Sequence, residues 1–426
     1  MKTLPFSKIR SFILTIAIAI LIGGVGYRLG EKHIFSKTVT LQAAAVTNKE
    51  APSSVQVDFS LFWDVWQRLK LYYIDAGSMD SQKMVYGAIS GMVGALDDPY
   101  TSFLSPKDNT EFKEDIGGAF QGIGAQLGMK DSQIIIQAPI KGSPAEKAGL
   151  KAMDWILKVD DVDTTGWTIN QAVTKIRGKK GTTVKLTILH DGAKTSQDIS
   201  IVRDEIVVPS VEHWVKTPAE ITEISGVATQ QVLSNKAAIG YIYLSRFGDR
   251  TNEEWLAAVD DVIAKDAALG AKGLVFDLRN NPGGYLDGSV FIASEFLKSG
   301  VVVTQTNSDG TKEVLSVNRK GKLTDIPLVV LINKGSASAA EIVAGALKDH
   351  KRATIVGVTS FGKGSVQTPQ ELTGGSSVHI TTGKWLLPNG DWIHKKGITP
   401  DVEVKLDSPE ATHDAQLEKA IEILLK

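Results

Sequence analysis

The chain carries short, nearly unbroken apolar runs separated by longer stretches in which apolar residues recur at helical spacing. Ala238-Ile-Gly-Tyr-Ile-Tyr-Leu244, Gly273-Leu-Val-Phe-Asp277, Pro327-Leu-Val-Val-Leu-Ile-Asn333 and Ala353-Thr-Ile-Val-Gly357 have the pattern of strands covered on both faces. Between them, Asn252 to Ala268 reads as an amphipathic helix, and Ile342, Val343, Ala346 and Leu347 recur with Glu341, Lys348 and Asp349 interposed. Such alternation predicts an α/β core, assigned to residues 206–426. Earlier, Leu61, Phe62, Val65, Trp66 and Leu69, then Met84, Ala88, Ile89, Met92, Val93 and Leu96, predict two helices within a segment 56–112. His213 to Lys236 shows no clear period and reads as a polar insertion.

At the N-terminus Lys2, Lys8 and Arg10 precede Ser11 to Tyr27, an uncharged apolar stretch just long enough to span a bilayer. Basic residues on the leading side put the N-terminus in the cytoplasm and the rest of the chain beyond the membrane. Residues 1–27 are therefore expected to be a cytoplasmic stub and an uncleaved single-pass anchor. The remainder would be extracytoplasmic, in the periplasm or at the cell exterior. A cleaved signal peptide is the rival reading, with Ala43-Ala-Ala45 as a small-residue site, although it lies far beyond the apolar core. Residues 28–55, polar and aperiodic, read as a linker.

Composition narrows the function classes. The 426 residues, 42% hydrophobic and 22% charged, suit two or three globular domains. A net charge of −1 gives no electrostatic case for nucleic acid. Zero cysteines exclude disulfides, thiol nucleophiles and thiolate metal sites. None of the seven histidines lies in an H-x-x-x-H ligand spacing, so neither a metal nor another cofactor is expected. No Gly-Asp-Ser-Gly-Gly occurs, which disfavours a trypsin-like triad without excluding a triad recognised by geometry.

The chemistry points to the corner after the Pro327–Asn333 run. Lys334-Gly-Ser-Ala-Ser338 is a small-residue turn between strand and helix, where free backbone N–H groups and the helix dipole can stabilise an oxyanion. Ser338-Ala-Ala-Glu341 is equally a capping box, so cap and nucleophile both remain open on these residues alone. Downstream, Gly362-Lys-Gly364 puts a lysine between glycines just past a buried strand. Gly357 to Lys363 matches most of a phosphate loop, but Gly364 stands where the magnesium-binding hydroxyl belongs, and Pro369 and Gly374-Gly375 oppose a following helix. Pro282-Gly-Gly284 reads by itself as a plain turn.

Taken together, Asn333-Lys-Gly-Ser-Ala-Ser-Ala-Ala-Glu341, Phe361-Gly-Lys-Gly-Ser-Val-Gln367 and Asp277-Leu-Arg-Asn-Asn-Pro-Gly-Gly284 resemble the core motifs of the carboxyl-terminal processing peptidases, or tail-specific proteases. The resemblance implies a nucleophile at the second serine, a lysine base 25 positions later (363 − 338 = 25) and a supporting glutamine: Ser338, Lys363 and Gln367. It also implies a crotonase/ClpP-like α/β protease core, with oxyanion donors at Ala339 and Gly284, Gly283 being the other candidate for the second donor. An ordinary lysine, with pKa near 10.4, is protonated at neutral pH, so burial must depress this one before it can act as a base. Gln367 would orient the amine by a hydrogen bond.

Residues 113–205 resemble an inserted PDZ domain. Gly122, Ile123, Gly124 and Ala125 would form its carboxylate-binding loop, Ser143 to Leu150 its short helix and turn, and Thr168 to Arg177 its groove helix. Such a module extends its sheet with a bound peptide, so the expected partners are protein or peptide substrates with free C-termini. Met153-Asp154 and Asp160-Asp161 depart from the family at positions that favour φ > 0. Arg177 and Arg203 are candidates to couple peptide binding to catalysis; as plain solvated arginines they would not. Tyr100 and Phe103, in a segment before the PDZ that also resembles the family, are expected in the core, with association of copies an open alternative. The expected activity is a serine endopeptidase with a Ser-Lys dyad, the alternative a catalytically silent PDZ adaptor.

Overall fold

The computed structural model describes residues 57–225, 237–405 and 413–426. The expected anchor and linker lie outside these residues, and among the described residues no helix is long and apolar enough to cross a membrane. Residues to Met79 form one compact unit and Asp80–Lys426 another. In the first, α1 (Ser60–Tyr72) buries none of its side chains, and Leu61, Leu69 and Leu71 are exposed.

The second unit begins with α2 (Ser81–Gly94), whose N-cap Asp80 accepts from the N–H of Gln82 and Lys83. It continues through β1 (Ser102–Leu104) into α3 (Pro106–Gly117), started by Ser105 with Pro106 in its first turn and ended by Gly118 at φ 67°.

An inserted domain follows, formed by β2 (Ala119–Gly122), β3 (Ala125–Lys130), β4 (Gln133–Pro139), α4 (Pro144–Lys147), β5 (Trp155–Val159), β6 (Val162–Asp163), α5 (Ile169–Ile176), β7 (Thr183–Leu189), β8 (Gln197–Val202) and β9 (Asp204–Val207). The entering β2 and the leaving β9 pair antiparallel, from Ala119↔Val207 to Gly122↔Asp204, which zips the insertion shut at its base. Ile134, Ile136, Ile156, Leu186 and Ile188 fill its core. Met153, Asp160 and Asp161 adopt φ of 70°, 48° and 66°. The chain thus makes the left-handed turns expected there without glycine or asparagine. Asp160 Oδ1 compensates by accepting the Lys185 N–H at 2.9 Å.

The α/β core uses β10 (Val211–Lys216), α6 (Pro218–Ser225), β11 (Ile239–Leu244), α7 (Thr251–Leu269), β12 (Leu274–Asp277), α8 (Leu286–Phe296), β13 (Val301–Asn307), β14 (Lys312–Ser316), β15 (Leu328–Ile332), α9 (Ala339–Asp349), β16 (Thr354–Gly357), β17 (Ser365–Glu371), β18 (Ser377–Leu386), β19 (Val402–Glu403) and α10 (Ala415–Leu424). Its main sheet runs β10-β11-β12-β15-β16-β19, parallel except for β10 at the edge. His213–Lys216, read above as insertion, belong to that edge strand. Trp214 stacks on Tyr241 with ring centroids 4.7 Å apart.

Alternate residues of each central strand point to opposite faces. Phe276, Val330, Ile332 and Ile355 pack on one side with Trp255 of α7 and Phe296 of α8, while Val275, Val329, Leu331 and Val356 meet Leu417, Ile421 and Leu424 of α10 on the other. The Trp255, Phe276 and Phe296 rings lie 5.1–5.8 Å apart. Truncating one such buried aromatic to alanine costs about 3–5 kcal/mol. A second sheet orders β1-β18-β13-β14, with β17 folded onto β18. No helix follows the Gly357–Gly364 loop; β17 does, which removes the phosphate-loop geometry.

Candidate active site

The turn after β15 is pinned before it reaches Ser338. Ser336 Oγ accepts from Asn333 N–H (2.9 Å) and donates to Leu278 O (2.8 Å), while Ala337 N–H donates to Asn281 O (2.9 Å). These bonds bind the corner to the loop that follows β12. Ser338 then takes φ 54°, ψ −117°, a conformation that L residues seldom occupy and that costs on the order of 1–3 kcal/mol. The residue caps α9 and stays partly exposed.

The loop after β12 supplies the glycines. A Cβ on Gly283, whose φ is 99°, would lie 2.7 Å from Ser338 Cβ and 2.9 Å from Ala339 N, so only glycine fits against the corner. Gly283 N–H already donates to Asn281 Oδ1 at 2.8 Å. Those of Gly284 and Ala339 donate to no group among the described residues. Of the two glycines considered, Gly284 therefore has the free donor. Its conformation (φ 136°) is fixed by flanking bonds, Phe247 N–H to Gly283 O and Tyr285 N–H to Phe247 O. Tyr285 also donates its hydroxyl to Asp249 at 2.8 Å, and burial followed by that bond pushes its pKa up to about 12.

Lys363 reaches the site because its neighbours lack side chains. A Cβ on Gly364 would lie 2.6 Å from Trp392 Nε1, and one on Gly362 about 3 Å from the backbone nitrogens of Lys395, Lys396 and Gly397. Trp392 Nε1 instead donates to Gly364 O at 2.8 Å. Burial holds the Lys363 amine below the ordinary lysine range, while the carboxylates of Asp98 and Glu341 pull it partly back. Nζ stands 5.4 Å from the centroid of the Tyr100 ring. In this arrangement the amine makes no hydrogen bond to Ser338 or Gln367. Gln367 Nε2 donates instead to Ser365 Oγ (3.0 Å) and Thr381 Oγ1 (3.1 Å) across β17 and β18. The expected Gln367–Lys363 bond is thus replaced by bonds within the hairpin.

The residue that joins the motifs is Glu341, which sequence reasoning treated only as a helix cap. It has no solvent exposure. Oε1 accepts from Ser360 Oγ and Gly362 N–H, both at 2.6 Å, and Oε2 from Ser338 N–H at 2.8 Å and Lys363 N–H at 2.9 Å. One buried carboxylate therefore ties the serine corner to the lysine loop. A second unassigned group is Arg279, whose guanidinium bonds Asp277 (Nε–Oδ1 3.0 Å) and Asp414, the N-cap of α10 (Nη1–Oδ1 2.9 Å). A cavity of about 240 Å³ at the carboxyl ends of β11, β12 and β15 is lined by Tyr241, Tyr243, Asp277, Arg279, Asn280 and Asn333.

In the inserted domain, Gly122 closes β2, Ile123 is buried, Gly124 has φ 74° and Ala125 opens β3. A Cβ on Gly124 would sit 2.4 Å from Ser143 Cβ. Loop carbonyls are used internally, Ile123 O by Ala145 N–H and Gly124 O by Ile140 N–H, both at 2.8 Å. The Ile123 and Gly124 N–H groups donate to nothing among the described residues, as a carboxylate nest requires. The expected groove helix is α5, with Thr168 as N-cap and Arg177 as C-cap. Arg203, nearly buried, donates to Ile176 O and Lys175 O and so caps that helix. Arg177 leaves the domain, pairing with Glu114 of α3 at 3.1 Å with its guanidinium 4.6 Å from the Phe120 ring centroid.

This is a serine-hydrolase corner on a parallel α/β sheet, with a peptide-binding fold inserted ahead of it. Three family patterns match parts of the chain: peptidase family S41 at residues 238–404, a PDZ domain at 112–189, and the activating protease CtpB N-terminal domain at 20–108. The carboxy-terminal processing protease CtpA of Bacillus subtilis is 39% identical over 85% of this chain and 72% of its own, and CtpB of the same organism 34% identical over 95% and 80%. A putative S41 protease from Bacteroides fragilis shares the fold with a TM-score of 0.52, at 17% identity over 88% of this chain and 99% of its own. The chain belongs to the S41 family of carboxy-terminal processing serine proteases.

Proposed function

We propose that the protein is an endopeptidase that cuts protein substrates recognised by their free C-terminal tails, with Ser338 as nucleophile and Lys363 as base. The observation that carries this reading is the Glu341 clamp, which holds the backbones of both residues at one carboxylate beside two unengaged N–H groups. Neutral Lys363 would take the Ser338 proton as Oγ attacks the scissile carbonyl, and later return it to the leaving amine. The N–H groups of Ala339 and Gly284 would receive the oxyanion. Gln367, through Ser365 and Thr381, would hold the hairpin beside the lysine. Proton transfer would require the amine to come within hydrogen-bond reach of Ser338 Oγ. The nest at Ile123 and Gly124 would take the tail carboxylate, and the apolar stretch Ser11–Tyr27 would anchor the enzyme with its catalytic part outside the cytoplasm.

Ser338→Ala and Lys363→Ala are each expected to abolish cleavage of a tailed, poorly folded substrate while leaving tail binding intact, measured by product formation and by fluorescence anisotropy of a labelled tail peptide. Undiminished cleavage in either variant would refute the dyad. A substrate offered with a free or an amidated C-terminus should be cut faster in the free form.

A further inference from the structure

The wall facing the Lys363 amine comes from a segment to which the proposed chemistry assigns nothing. Asp98-Pro-Tyr-Thr101 lies between α2 and β1. Asp98 Oδ1 accepts from Tyr100 N–H (3.1 Å) and Oδ2 from Thr101 Oγ1 (2.6 Å). Thr101 Oγ1 accepts from Thr381 N–H (3.0 Å), and β1 is zipped to β18 from Ser102↔His379 to Leu104↔Ser377. The loop is therefore fixed to the hairpin that carries Gln367.

From this loop the Tyr100 ring reaches the amine, 5.4 Å from its centroid, and meets the His394 ring edge-on at 5.9 Å. His394 stacks on Trp392 at 4.9 Å, and Trp392 holds the carbonyl of Gly364. A row of rings thus leads from the amine back to the backbone beside it. The charged and titratable groups around the amine are Asp98 from the loop, Glu341 from α9, His379 from β18 and the Tyr100 hydroxyl.

We propose that Tyr100 and Asp98 are positioning residues for the Lys363 amine: the ring excludes water from it, the carboxylate opposes that effect, and together they set the pH at which the base becomes usable. The inference rests on Lys363 being the base. Without the ring, water would reach the amine and the protonated form would persist to higher pH, an effect larger than the weak ring–cation attraction lost with it at 5.4 Å. Without the carboxylate charge, the protonated form would be lost at lower pH.

The test is the labelling rate of Ser338 by a fluorophosphonate, in which Oγ bonds phosphorus and fluoride leaves, followed against pH on the full chain. Tyr100→Ala is expected to move the rising limb up by about one pH unit and Asp98→Asn to move it down by about as much, with Tyr100→Phe unmoved. A purely structural role would lower the plateau and leave the midpoint in place, and that result, or shifts of the same sign, would overturn the inference. Should Tyr100→Ala not fold, judged by circular dichroism, the sign of the Asp98→Asn shift decides. Lys363→Ala separates the two levels. Wild-type labelling in that variant removes the dyad and this inference with it; lost labelling, with unmoved midpoints in the loop variants, removes this inference alone.

Discussion

Glu341 shows what a single residue must satisfy here. A carboxylate shut away from water needs every lone pair used. Glu341 achieves this with four donors drawn from both motif loops, at 2.6–2.9 Å. Glu341→Gln keeps the volume but turns an amide group toward backbone N–H donors, which strands at least one of them at about 1–3 kcal/mol. The expected outcome is a lower Tm and a kcat/KM reduced about 10²-fold, since displacement of the serine or lysine backbone is costly to catalysis. Unaltered kinetics would show that the clamp does not position the dyad. Ser338 pays in the opposite direction. Its positive φ suits glycine, so Ser338→Gly is expected to raise Tm by about 2 °C while abolishing turnover, read by calorimetry alongside an activity assay.

At the scale of elements, α3 is the only helix that bonds to the PDZ fold at one end and to the β17–β18 hairpin at the other, among the described residues. Glu114 pairs with Arg177, Asn109 donates to Gly375 O (3.0 Å) and accepts from Ser377 Oγ (2.9 Å), and Phe112 lies edge-on to His379 at 4.6 Å. Arg177→Ala is accordingly expected to reduce the preference for tailed over tail-less substrate about 5-fold, a modest loss because the pair is partly exposed. A preference unchanged in paired kcat/KM measurements would remove α3 as the coupling element. The same elements show what the sequence could and could not disclose. Strands β11, β12, β15 and β16 were legible because each is buried on both faces and reads as one apolar run. The glycines around Lys363 were equally legible, since no other residue fits. β10 was not, because an edge strand wet on one side shows no continuous run, and its Trp214 finds Tyr241 only in three dimensions. Glu341, Tyr100 and Asp98 escaped for the related reason that their roles depend on groups distant in sequence. Gln367 was found by motif, but its partners were not, since hairpin register decides them.

Across the whole catalytic unit, the last helix supports the loop that would supply the proposed oxyanion donor Gly284. α10 covers one face of the sheet through Leu417, Ile421 and Leu424, and its N-cap Asp414 grips Arg279, five residues before Gly284 (284 − 279 = 5). Burial pushes the Asp414 carboxyl up, but the hydrogen bonds and charge of Arg279 outweigh it and leave the pKa below the usual carboxylate range. A carboxylate with a depressed folded pKa stabilises the fold above its unfolded pKa, about 3.9, and loses that contribution as pH falls through the lower folded value. Asp414→Asn should therefore lower Tm by a constant amount above about pH 5, with the gap to the wild type closing below about pH 4. Paired thermal melts between pH 3 and 7 read this directly. A gap that persists unchanged at pH 3 would mean the ion pair is not its source.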